Sequence, residues 1–218
     1  RERAKSGALT KEDLSVMCRI MMTRDEKMRL LVMDYFRAED YFHVRDRLIG
    51  TGMIGGKACG MLLSRRIVSR DLPELDSFIE PEDSFFIGSD VFYTFLIENG
   101  CWQMRLRQRS EEGYYSAAPE LIEKIRSGKF PEDIRQKFEK MLDYFGASPI
   151  IVRSSSILED GFGNAFAGKY ESVFLVNAVP EERLLAFEDA VRTVYASTLD
   201  LSALEYRRIH HLEKRDEQ

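Results

Sequence analysis

The chain has 218 residues, enough for one large domain or for two small lobes sharing a core. Hydrophobic residues make up 44% and charged residues 32%, a globular rather than a disordered composition. Lysine and arginine total 32 against 37 acidic residues, a net charge of −5, so the basic excess of a nucleic-acid binder is missing.

The elements follow from periodicity and punctuation. Thr10 followed by Asp13 forms a capping box that opens a first helix. Thr23 is expected to cap a second, longer helix running towards Leu48, with Met28, Leu31, Val32, Tyr35 and Phe36 on one face. Gly50, Gly52, Gly55 and Gly56 then cluster ahead of Lys57, and a helix is expected over 58–68. A loop carrying Pro73 and Pro81 leads to a buried strand over 84–87. Helices follow over 90–99, stopped by Gly100, from Pro119 to about Ser127, and from Pro131 to Gly146. The last has a stripe of Ile134, Phe138, Met141, Leu142 and Phe145.

Residues 149–152 read as a buried, β-branched strand and 171–176 as a second, with a polar, glycine-bearing loop between them. That loop has little to offset its ordering entropy when no ligand is bound. It is expected to be mobile, with Phe166 as its apolar anchor. An amphipathic helix after Pro180 carries Leu184, Phe187, Val191 and Val194, and a last helix covers 201–211. Residues 213–218 form a charged tail that suits a fragment boundary.

No apolar run approaches the ~20 residues that span a bilayer, and no signal-peptide core follows the charged first five residues, so no membrane partner is expected. Cys18, Cys59 and Cys101 are far apart and form neither a CxxC pair nor a disulfide framework. They read as buried apolar residues of a reducing, cytoplasmic protein.

Two constellations carry chemistry. Gly50, Gly52 and Gly55 match GxGxxG by letter, but the dinucleotide fingerprint needs a strand immediately before it. Residues 44–49 read instead as the end of a charged helix. The Walker A pattern also fails, with Thr51 in place of its first glycine and Ala58 in place of the magnesium-holding hydroxyl. What remains is a loop delivering Lys57 to a helix start, where amides and an ammonium can meet an anion. A glycine-rich turn with a solvated lysine would look the same.

The second constellation is Val152-Arg153-Ser154-Ser155-Ser156, then Glu159, Asp160, Gly161 and Gly163, then 166–172. An arginine at a strand end can fork onto phosphate oxygens, and serines and glycine amides can complete a cradle. A surface arginine paired with Glu159 or Asp160 explains the residues equally well.

In this order, Gly55-Gly56-Lys57, Val152-Arg153-Ser154-Ser155, Glu159-Asp160 and Phe166-Ala167-Gly168 resemble the signature of the pyruvate, phosphate dikinase and phosphoenolpyruvate synthase family, in its N-terminal PEP/pyruvate-binding domain. Tyr206-Arg207 resembles a further element. The resemblance runs from about Gly50 to Arg207 and implies an ATP-grasp nucleotide site. In it Lys57 and Arg153 bind ATP and serve catalysis, and Gly168 and Ser172 touch the nucleotide, the family more often having threonine at the latter. Arg207 matches a family arginine assigned to the nucleotide. The stretch 83–88 replaces the family's usual proline-glycine-phenylalanine.

The resemblance also implies ATP phosphoryl transfer to a histidine and on to an acceptor such as pyruvate, releasing AMP. The family's second lobe, with its magnesium-holding acidic residues, and its phosphohistidine domain find no match here. Magnesium and those two domains are therefore expected in a parent enzyme, and this chain alone is expected to be inactive. His43, His210 and His211 lie in no family motif, and the adjacent pair reads as a helix end.

The expected fold is α+β, a small, mostly antiparallel sheet packed with helices. Residues 1–48 would be a helical extension, 49–212 the ATP-binding first lobe and 213–218 the tail. The rival readings are a non-catalytic regulatory or interaction module of the same fold, and a helical interaction domain presenting 44–63 and 114–145 to partners.

Overall fold

The computed structural model describes residues 9–80, 83–159 and 168–215. They form two compact units. The first runs to Asp90 and regains the chain at 155–159; the second holds 91–154 and 168–215. The class is α+β, with helices in the majority.

In the first unit, α1 (Lys11–Met17) opens on the Thr10–Asp13 capping box, each residue accepting from the other's backbone amide. A π-helical turn, Cys18–Met22, follows. The expected long second helix is two. Asp25 rather than Thr23 caps α2 (Glu26–Tyr35), accepting from the Met28 amide at 2.8 Å. Phe36 and Arg37 are extended, and the Asp40 carboxylate accepts from the Arg37 amide to start α3 (Ala38–Asp46). The apolar stripe continues across the break, so periodicity alone does not reveal it.

The chain then makes β1 (Leu48–Ile49), where a helix end was expected. The residues pair in parallel with β2 (Phe86–Ile87), Leu48 opposite Phe86. Between these strands lie α4 (Gly56–Asp71) and a 3₁₀ turn, Pro73–Phe78. Met22, Val32, Phe36, Tyr41 and Val44 share one buried cluster with Ile54, Cys59, Leu62 and Phe86. The helices before residue 49 thus pack on the helix that carries Lys57, and together they build the first unit's core.

α5 (Ser89–Glu98) leads into the second unit, followed by α6 (Trp102–Gln108), α7 (Gly113–Ser116), α8 (Ala118–Arg126) and α9 (Glu132–Phe145). Pro119 sits in the first turn of α8, and Pro131 precedes the first residue of α9. Next come β3 (Ile150–Arg153), β4 (Ser172–Leu175), α10 (Arg183–Ser197) and α11 (Leu201–Ile209). Phe95, Phe130, Phe138, Phe187 and Tyr195 form a chain of edge-on and tilted rings at the centre. Each buries a large apolar area, and such ring pairs add about 0.5–1.5 kcal/mol beyond burial.

β3 and β4 are antiparallel, with Ile150 opposite Leu175 and Arg153 opposite Ser172. The described strands therefore form two separate ladders, one parallel and one antiparallel. Val152 is buried, while Ile151 and Phe174 on the other face are 43% and 80% exposed.

In the stretches 44–63 and 114–145, candidates for partner surfaces by sequence, most of the apolar side chains are buried, while Met61, Tyr115 and Tyr144 are exposed. Val44, Ile54 and Leu62 lie in the first core, and Leu121, Ile125 and Phe138 in the second. No described helix is long and apolar enough to cross a membrane.

Candidate nucleotide site

Lys57 is the second residue of α4. The first turn of a helix leaves amides without intrahelical partners, and here residues far along the chain supply them. Gly56 donates to the Ser156 carbonyl at 3.3 Å, and Ala58 donates to the Ser155 hydroxyl at 2.9 Å. The Lys57 amide between them donates to no described residue.

Two glycines permit this approach. Gly55 has φ +84°, and a Cβ there would lie 1.4 Å from the Ser155 carbonyl oxygen. At Gly56 a Cβ would lie 2.4 Å from the Glu159 carbonyl oxygen. Only glycine fits either place, which links the Gly-Gly-Lys motif physically to the serine motif.

The Lys57 ammonium lies 2.8 Å from Glu159 Oε1. The lysine side chain is 27% exposed and that of the glutamate 3%. The other carboxylate oxygen accepts from the Ser156 amide at 3.0 Å. Glu159 thus pairs with Lys57, and Arg153, its alternative partner by sequence, makes no ion pair with any described residue. Asp160, Gly161, Gly163 and Phe166, and the expected mobility of their loop, lie outside the described residues.

The GxGxxG letters do follow a strand, β1, but not in the way a dinucleotide fingerprint requires. The strand is two residues long and α4 starts only at Gly56, beyond the third glycine. The loop's early amides are also taken. The Asp90 carboxylate accepts from the Thr51 and Gly52 amides, at 3.0 and 2.7 Å, and from the Thr51 hydroxyl. A dinucleotide pyrophosphate would have to displace a carboxylate from the place it needs.

In the second unit, Arg153 ends β3 and faces Ser172 across the ladder, both exposed. Directly opposed residues project to one face, so these two predicted nucleotide contacts are neighbours. Gly168, exposed and at φ +69°, stands four residues before Ser172. Beside Arg153, the Ser154 hydroxyl is buried without a hydrogen-bond partner among the described residues, an open polar position of the kind a ligand or water fills.

Arg207 is elsewhere. It is 1% exposed within α11, and its guanidinium donates to the Thr198 carbonyl. Burial pushes its pKa down, and the nearby Tyr170 hydroxyl opposes that shift. The structure therefore places Arg207 inside the second unit rather than on the face that carries Arg153 and Ser172.

The histidine pair closes α11. His211 adopts φ +55°, donates to the Arg208 carbonyl, and is followed by Leu212 donating to the Arg207 carbonyl. This is a Schellman-type helix end. Among the described residues no group of three or more histidine, cysteine, aspartate or glutamate side chains is arranged to hold a metal ion.

The family model for the pyruvate phosphate dikinase AMP/ATP-binding domain matches residues 51–218. The chain belongs to this family. Comparison with curated proteins and with solved structures gives no match. The match begins at Thr51, so it takes in the Gly-Gly-Lys turn, the Arg153 strand end and Ser172. Membership identifies a domain that binds AMP or ATP, and both constellations described above lie within it.

Proposed function

We propose that this chain contributes the first-lobe part of an ATP-grasp nucleotide site in a dikinase. Its parent would phosphorylate a histidine from ATP, pass the phosphoryl group to an acceptor such as pyruvate, and release AMP. Residues 49–212 form that lobe, and the helices of 1–48 brace the helix that bears Lys57. The reading is carried by one observation. The segment directly after Arg153 supplies the hydrogen-bond partners of the helix start at Lys57, through Ser155 and Ser156. Chain connectivity thereby ties the two motifs that the family assigns to ATP.

The residues suit the ligand. Lys57 offers an ammonium and an open backbone amide at a helix start, a combination that favours phosphate. Arg153 offers a guanidinium with no described partner, and Ser172 a hydroxyl on the same face. Gly168 lets backbone come close to the ligand. Arg207 serves from behind, holding Thr198 and the surroundings of Tyr170. Magnesium would be held by acidic residues of the second lobe. Phosphoryl transfer needs mainly positioning and charge neutralisation, which is what these side chains supply.

The test is phosphohistidine formation and AMP release by the full-length protein carrying Arg153→Ala or Arg153→Lys. A charge-assisted contact contributes about 1.5–3 kcal/mol, so alanine should lower the rate about 10- to 100-fold. Lysine keeps the charge without the fork and should recover only part of the loss. An unchanged rate with alanine removes Arg153 from the site. Nucleotide binding without any phosphohistidine would show a non-catalytic module of the same family.

A further inference from the structure

Glu159 has no role so far, yet it is more deeply buried than Asp90, the other carboxylate bonded at the glycine turn. Glu159 is 2% exposed. One carboxylate oxygen is bound by the Ser156 amide at 3.0 Å and the other by the Lys57 ammonium at 2.8 Å. The backbone carbonyl of Glu159 also lies against Gly56, where it excludes any side chain.

An ionised carboxylate this deeply buried is strongly destabilising without a cation. Lys57 is its only ion-pair partner among the described residues. Lys57 therefore cannot leave Glu159 to follow a ligand into solvent. An ammonium has three N–H donors. One is committed to Glu159, and two remain on a lysine that is partly open to solvent.

We infer that Glu159 is the positioning residue of Lys57. It fixes the ammonium at the start of α4 and keeps its hold when phosphate oxygens take the remaining donors. It does not compete with the phosphate. This rests on Lys57 being a phosphate ligand, as proposed above. A flexible lysine would lose side-chain freedom on meeting the phosphate; a tethered one has already lost it.

The measurement is a double-mutant cycle on ATP affinity, by calorimetry on the full-length protein, using wild type, Lys57→Met, Glu159→Gln and the double variant. Urea unfolding of each variant separates folding losses from binding losses. Beside Lys57, Glu159→Gln should weaken ATP binding about tenfold, the size of one ordinary polar contact. In the Lys57→Met background a buried, unpaired carboxylate faces the phosphates. There the same change should leave affinity unchanged or improve it. Glu159→Asp keeps the charge on a shorter stem and should fall between wild type and Glu159→Gln. It replaces Glu159→Gln in both arms of the cycle should that variant fail to fold.

An equal loss in both backgrounds makes Glu159 merely structural and overturns the inference. Tighter binding by Glu159→Gln beside Lys57 makes it a competitor and also overturns it. If Lys57→Met alone leaves ATP affinity untouched, the nucleotide assignment of Lys57 falls, and the inference falls with it.

Discussion

The packing of Gly55 against Ser155 can be tested with one methyl group. In Gly55→Ala the added Cβ would lie 1.4 Å from the Ser155 carbonyl oxygen and 2.8 Å from its hydroxyl. No rotamer change relieves a clash with backbone, so the 155–159 segment must move away. That movement breaks the Ala58–Ser155 and Gly56–Ser156 hydrogen bonds, each contributing about 1 kcal/mol. The residue must also hold φ +84° with ψ 175°, a region open essentially to glycine alone, at about 1–3 kcal/mol. The combined destabilisation is about 3–5 kcal/mol.

Two further glycines separate these effects. Gly146 has φ +58°, ψ −127° and open space around its missing Cβ, so Gly146→Ala should lose only the backbone strain, about 1–3 kcal/mol. Gly60 lies within α4 with nothing within 4 Å, so Gly60→Ala should gain about 0.8–1 kcal/mol from helix propensity. Urea unfolding of the three variants, at matched slopes, gives the comparison. A Gly55→Ala variant no less stable than Gly146→Ala would refute the close approach of the two motifs.

Other substitutions and conditions follow from the same structure. His211 holds φ +55° at the end of α11, so His211→Gly should raise stability by about 1 kcal/mol, read as a higher melting temperature; an unchanged melting temperature would mean no strain is held there. All three cysteines are fully buried, and native protein should resist thiol reagents until denatured, when three groups react. Desolvation pushes the Cys59 thiol up to about 12 from 9.0. The unfolded chain then ionises first, so the contribution of Cys59 to stability should be fully present below pH 9 and fall by up to about 1.4 kcal/mol per pH unit from there to about pH 12. Cys59→Ala should remove that share of the alkaline slope, leaving what the other buried thiols and Tyr41 contribute.

Much of the architecture was legible where punctuation and periodicity agreed. Gly100 and Gly146 stop their helices at positive φ, and Pro119 opens its own in the first turn. The Thr10–Asp13 box was legible because its reciprocal bonds join residues only three positions apart. Local reading failed where distant partners decide. Leu48 and Ile49 look like a helix end until Phe86 and Ile87 pair with them. The helix break at Arg37 depends on one carboxylate, that of Asp40, replacing a backbone bond.

At the candidate site, the order of motifs singled out Lys57 and the serine segment, which hydrogen bonds bring together at the start of α4, and the strand pairing brings Arg153 and Ser172 to one face. The pairing of Glu159 with Lys57 was not legible. Its spacing suits Arg153 as well as Lys57, and only the approach through Gly55 and Gly56 decides between them. Arg207 shows the converse, a motif position whose side chain turns inward.

The join between Lys57 and Glu159 also sets an order of events in folding. The two residues are 102 positions apart, and closing a loop of that length has an entropic cost of about 4 kcal/mol before any contact compensates. During synthesis the helices of the first unit leave the ribosome long before Ser155 exists to satisfy the start of α4. Until then its first amides are open to water and Lys57 lacks its carboxylate. The lysine site should therefore be among the last parts of the first unit to mature, and hydrogen exchange at Ala58 should reach its final protection later than exchange in the middle of the same helix.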